Sequence, residues 1–331
     1  MPALLDREAL FKDDRLRLIF TCCHPALAPE TQIALTLHTV AGITTPEIAR
    51  AFLVSESTLT KRLVRARRKF RDAGISYEVP PNHRLPERLT GVLSVIYLVF
   101  NEGYSASSGD ALIRSDLCSE AIHLARLLVE LMPDEPEAWG LLALMLLNDA
   151  RREARTDANG DLVTLEDQDR TCWNRSQIDE GSAMVERALR MRRPGPMQLQ
   201  AAIAALHAEP TDAADADWPQ IGLLYAELAK LQPTSVVELN RAVAVAMSDL
   251  SAGAGPARGL RIIDELEAGG ELDRYHLLHA TRADLLRRGD HLPEAADAYR
   301  RAIPFCSNPV ERRFLERRLD QVERSTGNPR G

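Results

Sequence analysis

The sequence predicts an all-α protein, a helix-turn-helix domain followed by an α-solenoid of antiparallel helix pairs. Three observations carry that expectation. Of the 331 residues, 45% are hydrophobic and only 5% aromatic, and the apolar content comes largely from Ala and Leu, which lose little entropy in a helix. Apolar side chains recur at three- and four-residue spacing in one segment after another. Small residues followed by a proline stop then recur along the C-terminal two thirds, as in stacked helix pairs.

Composition also excludes several classes. No stretch approaches the roughly 18 uncharged apolar residues of a bilayer span, and Met1 to Asp6 lacks a charged start before an apolar core. Neither membrane insertion nor secretion is expected. Cys22, Cys23, Cys118, Cys172 and Cys306 are odd in number and lack paired C-x-x-C spacing, which points to a reducing cytoplasm. Residues 1–75 carry 12 Lys/Arg against 8 Asp/Glu, whereas the remainder carries 29 against 40. A basic module therefore precedes an acidic one.

Within residues 1–75, Asp14 opens a first helix through Leu16, Leu18, Ile19 and Phe20. It stops near Cys23-His24-Pro25, because proline disfavours helix in the residue before it. Pro29 and Glu30 start a second helix with Ile33, Ala34, Leu37 and Val40, ended by Gly42. Thr45-Pro46-Glu47 begins a short third, with Ile48, Ala49 and Phe52 inward. Ser55 caps a fourth, in which Leu59, Leu63, Ala66 and Phe70 share one side and which Gly74 terminates.

A short helix, a tight turn and a longer basic helix form a helix-turn-helix, whose second helix enters the major groove of DNA. Lys61 to Arg71 holds seven basic side chains and no acidic one. Opposite the apolar side lie Ser57, Thr60, Lys61, Val64 and Arg65, the predicted base-facing residues. Lys61 and Arg65 suit guanine O6 and N7, Ser57 and Thr60 suit several edges, and Val64 suits a thymine methyl. Thr45, Arg62, Arg67, Arg68, Lys69 and Arg71 are assigned to phosphates. The bland alternative is a helical hairpin with a wet basic face.

These residues also carry a family resemblance. Gly42 to Phe70, GITTPEIARAFLVSESTLTKRLVRARRKF, resembles region 4 of bacterial RNA polymerase sigma factors of the extracytoplasmic-function type. Asp13 to Leu27, DDRLRLIFTCCHPAL, resembles the subgroup with a long C-terminal extension of tetratricopeptide-like repeats. The resemblance implies that the helix-turn-helix reads the minus-35 promoter element and packs on the polymerase core near the β flap. It departs from the family at Leu53, where a Gly is common. Only 12 residues precede Asp13, where the family carries region 2, so the chain is expected to lack that region and not to start transcription alone.

Ser76 to Arg88 holds three prolines without helical period and reads as a connector, dividing the chain into domains 1–75 and 89–331. Leu89 to Phe100 reads as a buried helix. Second-helix positions with a stop follow at Ala121, Ala125, Leu128, Val129 and Pro133; at Gly181, Val185, Ala188, Leu189 and Pro194; and at Ile221, Tyr225, Leu228, Ala229 and Pro233. Trp139, Leu142, Ala143 and Leu146 fit a first helix. Ala283 and Leu286, the Gly289-Asp290 turn, then Ala295, Tyr299, Ala302 and Ile303 form a further pair, and Val310 to Val322 a terminal helix. The groove of such a stack suits a protein or peptide partner.

Residues 151–173 interrupt the repeats, and Leu162, Val163 and Leu165 suit a short strand or an Ω-like loop. Arg151, Arg152, Arg155, Asp167, Asp169 and Arg170 form either a docking loop or a salt-bridged filler, the second being preferred. No nucleotide-binding or nucleophile motif occurs, so no catalytic residue and no cofactor is assigned and an enzyme is not expected. No metal site is assigned either. Adjacent Cys22 and Cys23 point to different faces of a helix, while His276 and His279 lack a third ligand, Asp284 being poorly placed. The predicted function, with the resemblance, is that of a transcription initiation factor, a sigma factor fragment. A repeat scaffold and a one-component regulator binding a peptide or small ligand are the alternatives.

Overall fold

The computed structural model describes residues 14–40, 42–52, 54–72, 82–106, 112–248 and 254–327. Leu53, Gly74 and residues 76–81 of the expected connector lie outside them, as does the side chain of Phe70. The architecture is all-helical. The first four helices are α1 (Asp14–Cys22), α2 (Pro29–Thr39), α3 (Thr45–Ala51) and α4 (Glu56–Asp72). Gln32 Nε2 closes the first turn by donating to the carbonyls of His24 (2.9 Å) and Leu27 (3.0 Å). Gly42 supplies the left-handed backbone, φ 63°, after α2.

Helix α5 (Leu85–Tyr104) starts four residues before the expected Leu89 and includes Asn101 to Tyr104, so residues 85–88 are helix rather than connector. Pro86 does not break it, because the first helical turn needs no backbone N–H from that position. Then come α6 (Ser115–Leu131), α7 (Pro136–Asp149), α8 (Arg175–Arg190) and α9 (Pro196–Ala208). The rest of the stack is α10 (Trp218–Leu231), α11 (Ser235–Ser248), α12 (Gly255–Gly269), α13 (His276–Arg288), α14 (Leu292–Ala302) and α15 (Pro309–Gly327). Small residues sit where helices cross closely: a Cβ on Gly140 of α7 would stand 2.7 Å from the backbone nitrogen of Gln198 in α9, two helices further on. Leu189, expected to face inward, is 46% exposed. No helix among the described residues is long and apolar enough to cross a membrane.

Two features position the functional surface. One hydrophobic core runs without interruption from Leu16, Phe20, Leu37 and Leu59 of the first helices to Val92, Ile96, Leu128 and Met145 of α5 to α7. The basic and acidic modules are therefore fused through their apolar faces. In addition, the stack turns back on itself. Asn308, ahead of α15, donates Nδ2 to the carbonyl of Ala106 (2.8 Å), and Ser105 Oγ donates to Glu311 Oε1 (3.1 Å).

Candidate nucleic-acid interface

The recognition helix is set by local chemistry at its start. Ser55 Oγ accepts from the backbone nitrogen of Thr58 (3.2 Å) at the head of α4. Ahead of α3, the backbone N–H of Thr44 donates to Glu47 Oε2 (2.7 Å), half of a capping box. Leu59, Leu63 and Ala66 are buried, which rolls α4 so that the opposite side faces water. Ser57, Thr60, Lys61, Val64 and Arg65 are all exposed, and Val64 is 60% exposed amid the cations. An apolar side chain so placed leaves a dry contact available to a partner.

Of the residues assigned to phosphates, Arg67, Arg68, Lys69 and Arg71 are exposed and Thr45 and Arg62 half-buried. Arg68 Nε lies 3.5 Å from Asp72. Among the described residues no carboxylate pairs with Lys61, Arg62, Arg65, Arg67, Lys69 or Arg71. Six cations within about three turns, unneutralised among the described residues, make a strongly positive face that attracts a polyanion.

The other side of the module is sealed. Arg88 of α5, itself buried, donates Nη1 to the Phe20 carbonyl (2.7 Å). Arg15 pairs with Glu120 (2.6 Å), and Arg114 reaches both Glu47 (3.5 Å) and Glu102 (3.8 Å). The apolar segment Leu89 to Phe100 predicts packing between the two modules, and the shared core bears this out; the part of Arg88 in the joint was missed, because it stands in a proline-rich stretch that reads as a connector. Cys22 and Cys23 belong to the seal, where burial pushes their thiols up to about 11 and about 12. Both thiols pack against the joint as small apolar groups.

The loop between α7 and α8 uses its charges inside the chain. Arg155 is buried, donates to the Tyr104 carbonyl and lies over the Tyr104 ring at 3.6 Å from its centroid. Arg170 donates to the carbonyls of His207 (2.9 Å) and Pro210 (2.8 Å), and its guanidinium stacks on Trp173. Arg152 pairs with Asp149 (2.5 Å), Asp169 Oδ1 accepts from the Thr171 backbone (2.9 Å), and Asp167 faces Arg318 (3.6 Å). Asp161 holds Arg313 (3.0 Å) and Arg317 of α15. Of the short strand or Ω-like loop expected of Leu162, Val163 and Leu165, the loop is what forms among the described residues, with one antiparallel bridge, Thr156 to Leu162. Beside the loop lies a cavity of about 620 Å³ whose lining includes Tyr97, Asn101, Arg151, Gln200, His207 and Tyr225, and contains no Asp or Glu.

Comparison with known proteins fits this division. The sigma-70 region 4 family matches residues 17–70, which takes in α2, α3 and most of α1 and α4. An uncharacterized protein of Rhizobium meliloti (strain 1021), R00370, is 48% identical over 314 residues, covering 95% of this chain and 73% of that protein. The chain belongs to the family of that protein, and it carries a sigma-70 region 4 domain. Region 4 brings sigma-factor-like DNA binding in transcription initiation, with promoter DNA and RNA polymerase as its general partners. A family of unknown function (DUF6596) matches residues 88–189 of this chain. Those residues run from Arg88 through α8, and so include the helices fused to the region 4 domain. No solved structure matches.

Proposed function

We propose that this chain is the promoter-reading and polymerase-contacting part of an extracytoplasmic-function sigma factor whose C-terminal extension consists of tetratricopeptide-like repeats. It works in the cytoplasm and is not an enzyme. Residues 1–75 are the reading domain and 89–331 the extension. In the minus-35 element, Ser57, Thr60, Lys61, Val64 and Arg65 face bases, while Thr45, Arg62, Arg67, Arg68, Lys69 and Arg71 hold phosphates. The observation that carries the reading is the contrast between the two sides of the module. The α4 face holds six cations with no carboxylate partner among the described residues, and the opposite face shares a core with α5 to α7. An extension attached behind the reading helix braces it and leaves the DNA face open.

The test is transcription from a minus-35-dependent promoter by bacterial core polymerase assembled with this chain and a region 2. Truncation after residue 82 should lower transcription. A rise on truncation would mean that the extension inhibits, and would overturn the bracing role.

The cavity favours a second role for the extension. Arg151 lines it, donates Nη2 to Asn148 Oδ1 (2.8 Å) and has no carboxylate partner among the described residues. A small ligand with an anionic group and an aromatic or aliphatic body suits that lining, which would make the extension a ligand-responsive regulator. A ligand that raises thermal stability while leaving promoter affinity unchanged would speak against this role.

A further inference from the structure

His276 and His279, three residues apart, do not act together. His279 Nε2 lies 2.8 Å from the Asp273 carbonyl, and its ring stacks on Phe305. His276, at the first position of α13, instead meets two residues that follow it by 30 and 35 positions. These are Cys306, in the loop ahead of α15, and Glu311, in the first turn of α15. The three ligand atoms lie within 4.8 Å of one another.

Two of the three separations are close to the edges of a coordination polyhedron. His276 Nε2 stands 3.3 Å from Glu311 Oε2, and Cys306 Sγ stands 3.9 Å from the same oxygen. For tetrahedral zinc, bonds of about 2.0 to 2.3 Å give edges of about 3.4 Å between nitrogen and oxygen and about 3.6 Å between sulfur and oxygen. His276 Nε2 is buried, and among the described residues its approach to Glu311 falls short of hydrogen-bond geometry and no other acceptor reaches it. Cys306 is fully buried. Glu311 is oriented by Ser105, whose hydroxyl holds Oε1 and leaves Oε2 turned to the other two groups, the outer support expected of a ligating carboxylate.

We propose that His276, Cys306 and Glu311 bind one zinc ion, or a similarly borderline-soft divalent cation, with water in the fourth position. A thiolate and a carboxylate together balance the dication, and an imidazole, a thiolate and an oxygen suit zinc better than magnesium or calcium. The ion joins α13 to the start of α15. Through Glu311 to Ser105 and Asn308 to Ala106, it fixes the returning end of the stack on the end of α5. Metal occupancy thereby sets how firmly the extension closes behind the region 4 domain. This inference does not depend on which DNA the domain reads.

The test uses the untagged full chain, stripped with a chelator and titrated with zinc alone, with bound metal counted by mass spectrometry. One equivalent should be retained after gel filtration. Cobalt in its place should give a thiolate-to-metal charge-transfer band. Cys306→Ser should abolish the band, Ser105→Ala should weaken binding about 10- to 100-fold, and Cys172→Ser, at the exposed cysteine, should change neither. Retention of well under one equivalent by the wild-type chain, which needs no variant to fold, would overturn the site. So would a cobalt band that survives Cys306→Ser or disappears with Cys172→Ser.

Discussion

Arg88 Nη1 donates to the backbone carbonyl of Phe20 at 2.7 Å, across 68 residues of sequence and inside the core that joins the region 4 domain to its extension. That carbonyl belongs to the last turn of α1, where four oxygens lack helical partners, and burial denies it water. The guanidinium pays for its own burial in part, since burial pulls its pKa below the ordinary value. Arg88→Met, which keeps length and apolar stem, should therefore destabilise the chain by about 2 kcal/mol, the range for a hydrogen bond from a charged donor. Arg88→Lys should recover part of that. Urea unfolding measures both, and a loss below about 0.5 kcal/mol for Met would put Arg88 among ordinary surface positions.

On the open face, Arg65 and Arg71 separate reading from anchoring. Arg65 lies in line with Lys61 and Val64, opposite buried Leu59, Leu63 and Ala66, whereas Arg71 lies at the end of α4. In the holoenzyme assay, Arg65→Ala should cost about 1 to 3 kcal/mol at the preferred minus-35 sequence and relax base preference there. Arg71→Ala should weaken all sequences alike and lower the salt dependence by about one counterion. Equal, sequence-independent losses would assign the whole face to phosphates.

The orientation of α4 was legible because one helix period places Leu59, Leu63 and Ala66 on one side, and because Ser55 is a residue type that caps. The pairing of α13 with α14 was legible for a similar reason: Ala283, Ala295 and Ala302 leave room for a close crossing, and all three are fully buried. What could not be read was everything that depends on the stack turning back. Asp161 meets Arg313 after 152 residues, and Ser105 meets Glu311 after 206. Neither pair leaves a mark in local spacing, because the small rotation from each helix pair to the next decides it. The start of α5 was hidden differently. Pro80, Pro81 and Pro86 read as punctuation, although Pro86 in a first helical turn is favourable.

Gly140 tests the helix crossings. Its missing side chain lets α7 lie against α9, where an added Cβ would meet the Gln198 backbone nitrogen at 2.7 Å. Backbone cannot step aside as a side-chain tip can. Although Ala is the better helix former, Gly140→Ala should cost about 1 to 3 kcal/mol through overpacking. Thermal unfolding of the full chain measures it. A stabilised variant would mean that helix propensity outweighs the contact and that the two helices can separate without loss.

Acid stability should turn on His207. Its ring sits edge-on to Trp218 (5.1 Å between centroids), and burial, with the nearby cations Arg151 and Arg170, lowers its pKa from 6.5 to about 4. The unfolded chain gains a proton near pH 6.5 that the folded chain refuses until about pH 4. Stability from the neutral ring is therefore complete above pH 6.5, declines as the pH falls below that value, and is fully lost near pH 4. At about 1.4 kcal/mol for each unit of separation, the loss across this window approaches 3 kcal/mol. His24, also lowered by burial and by Arg88, contributes in the same direction, so the difference between wild type and variant isolates His207. His207→Gln keeps a polar planar group without the titration. Urea unfolding at pH 7.5 and 4.5 should show the variant losing about 2 kcal/mol less than the wild type over that interval. Parallel losses in the two proteins would mean that water reaches the ring and that the acid sensitivity lies elsewhere.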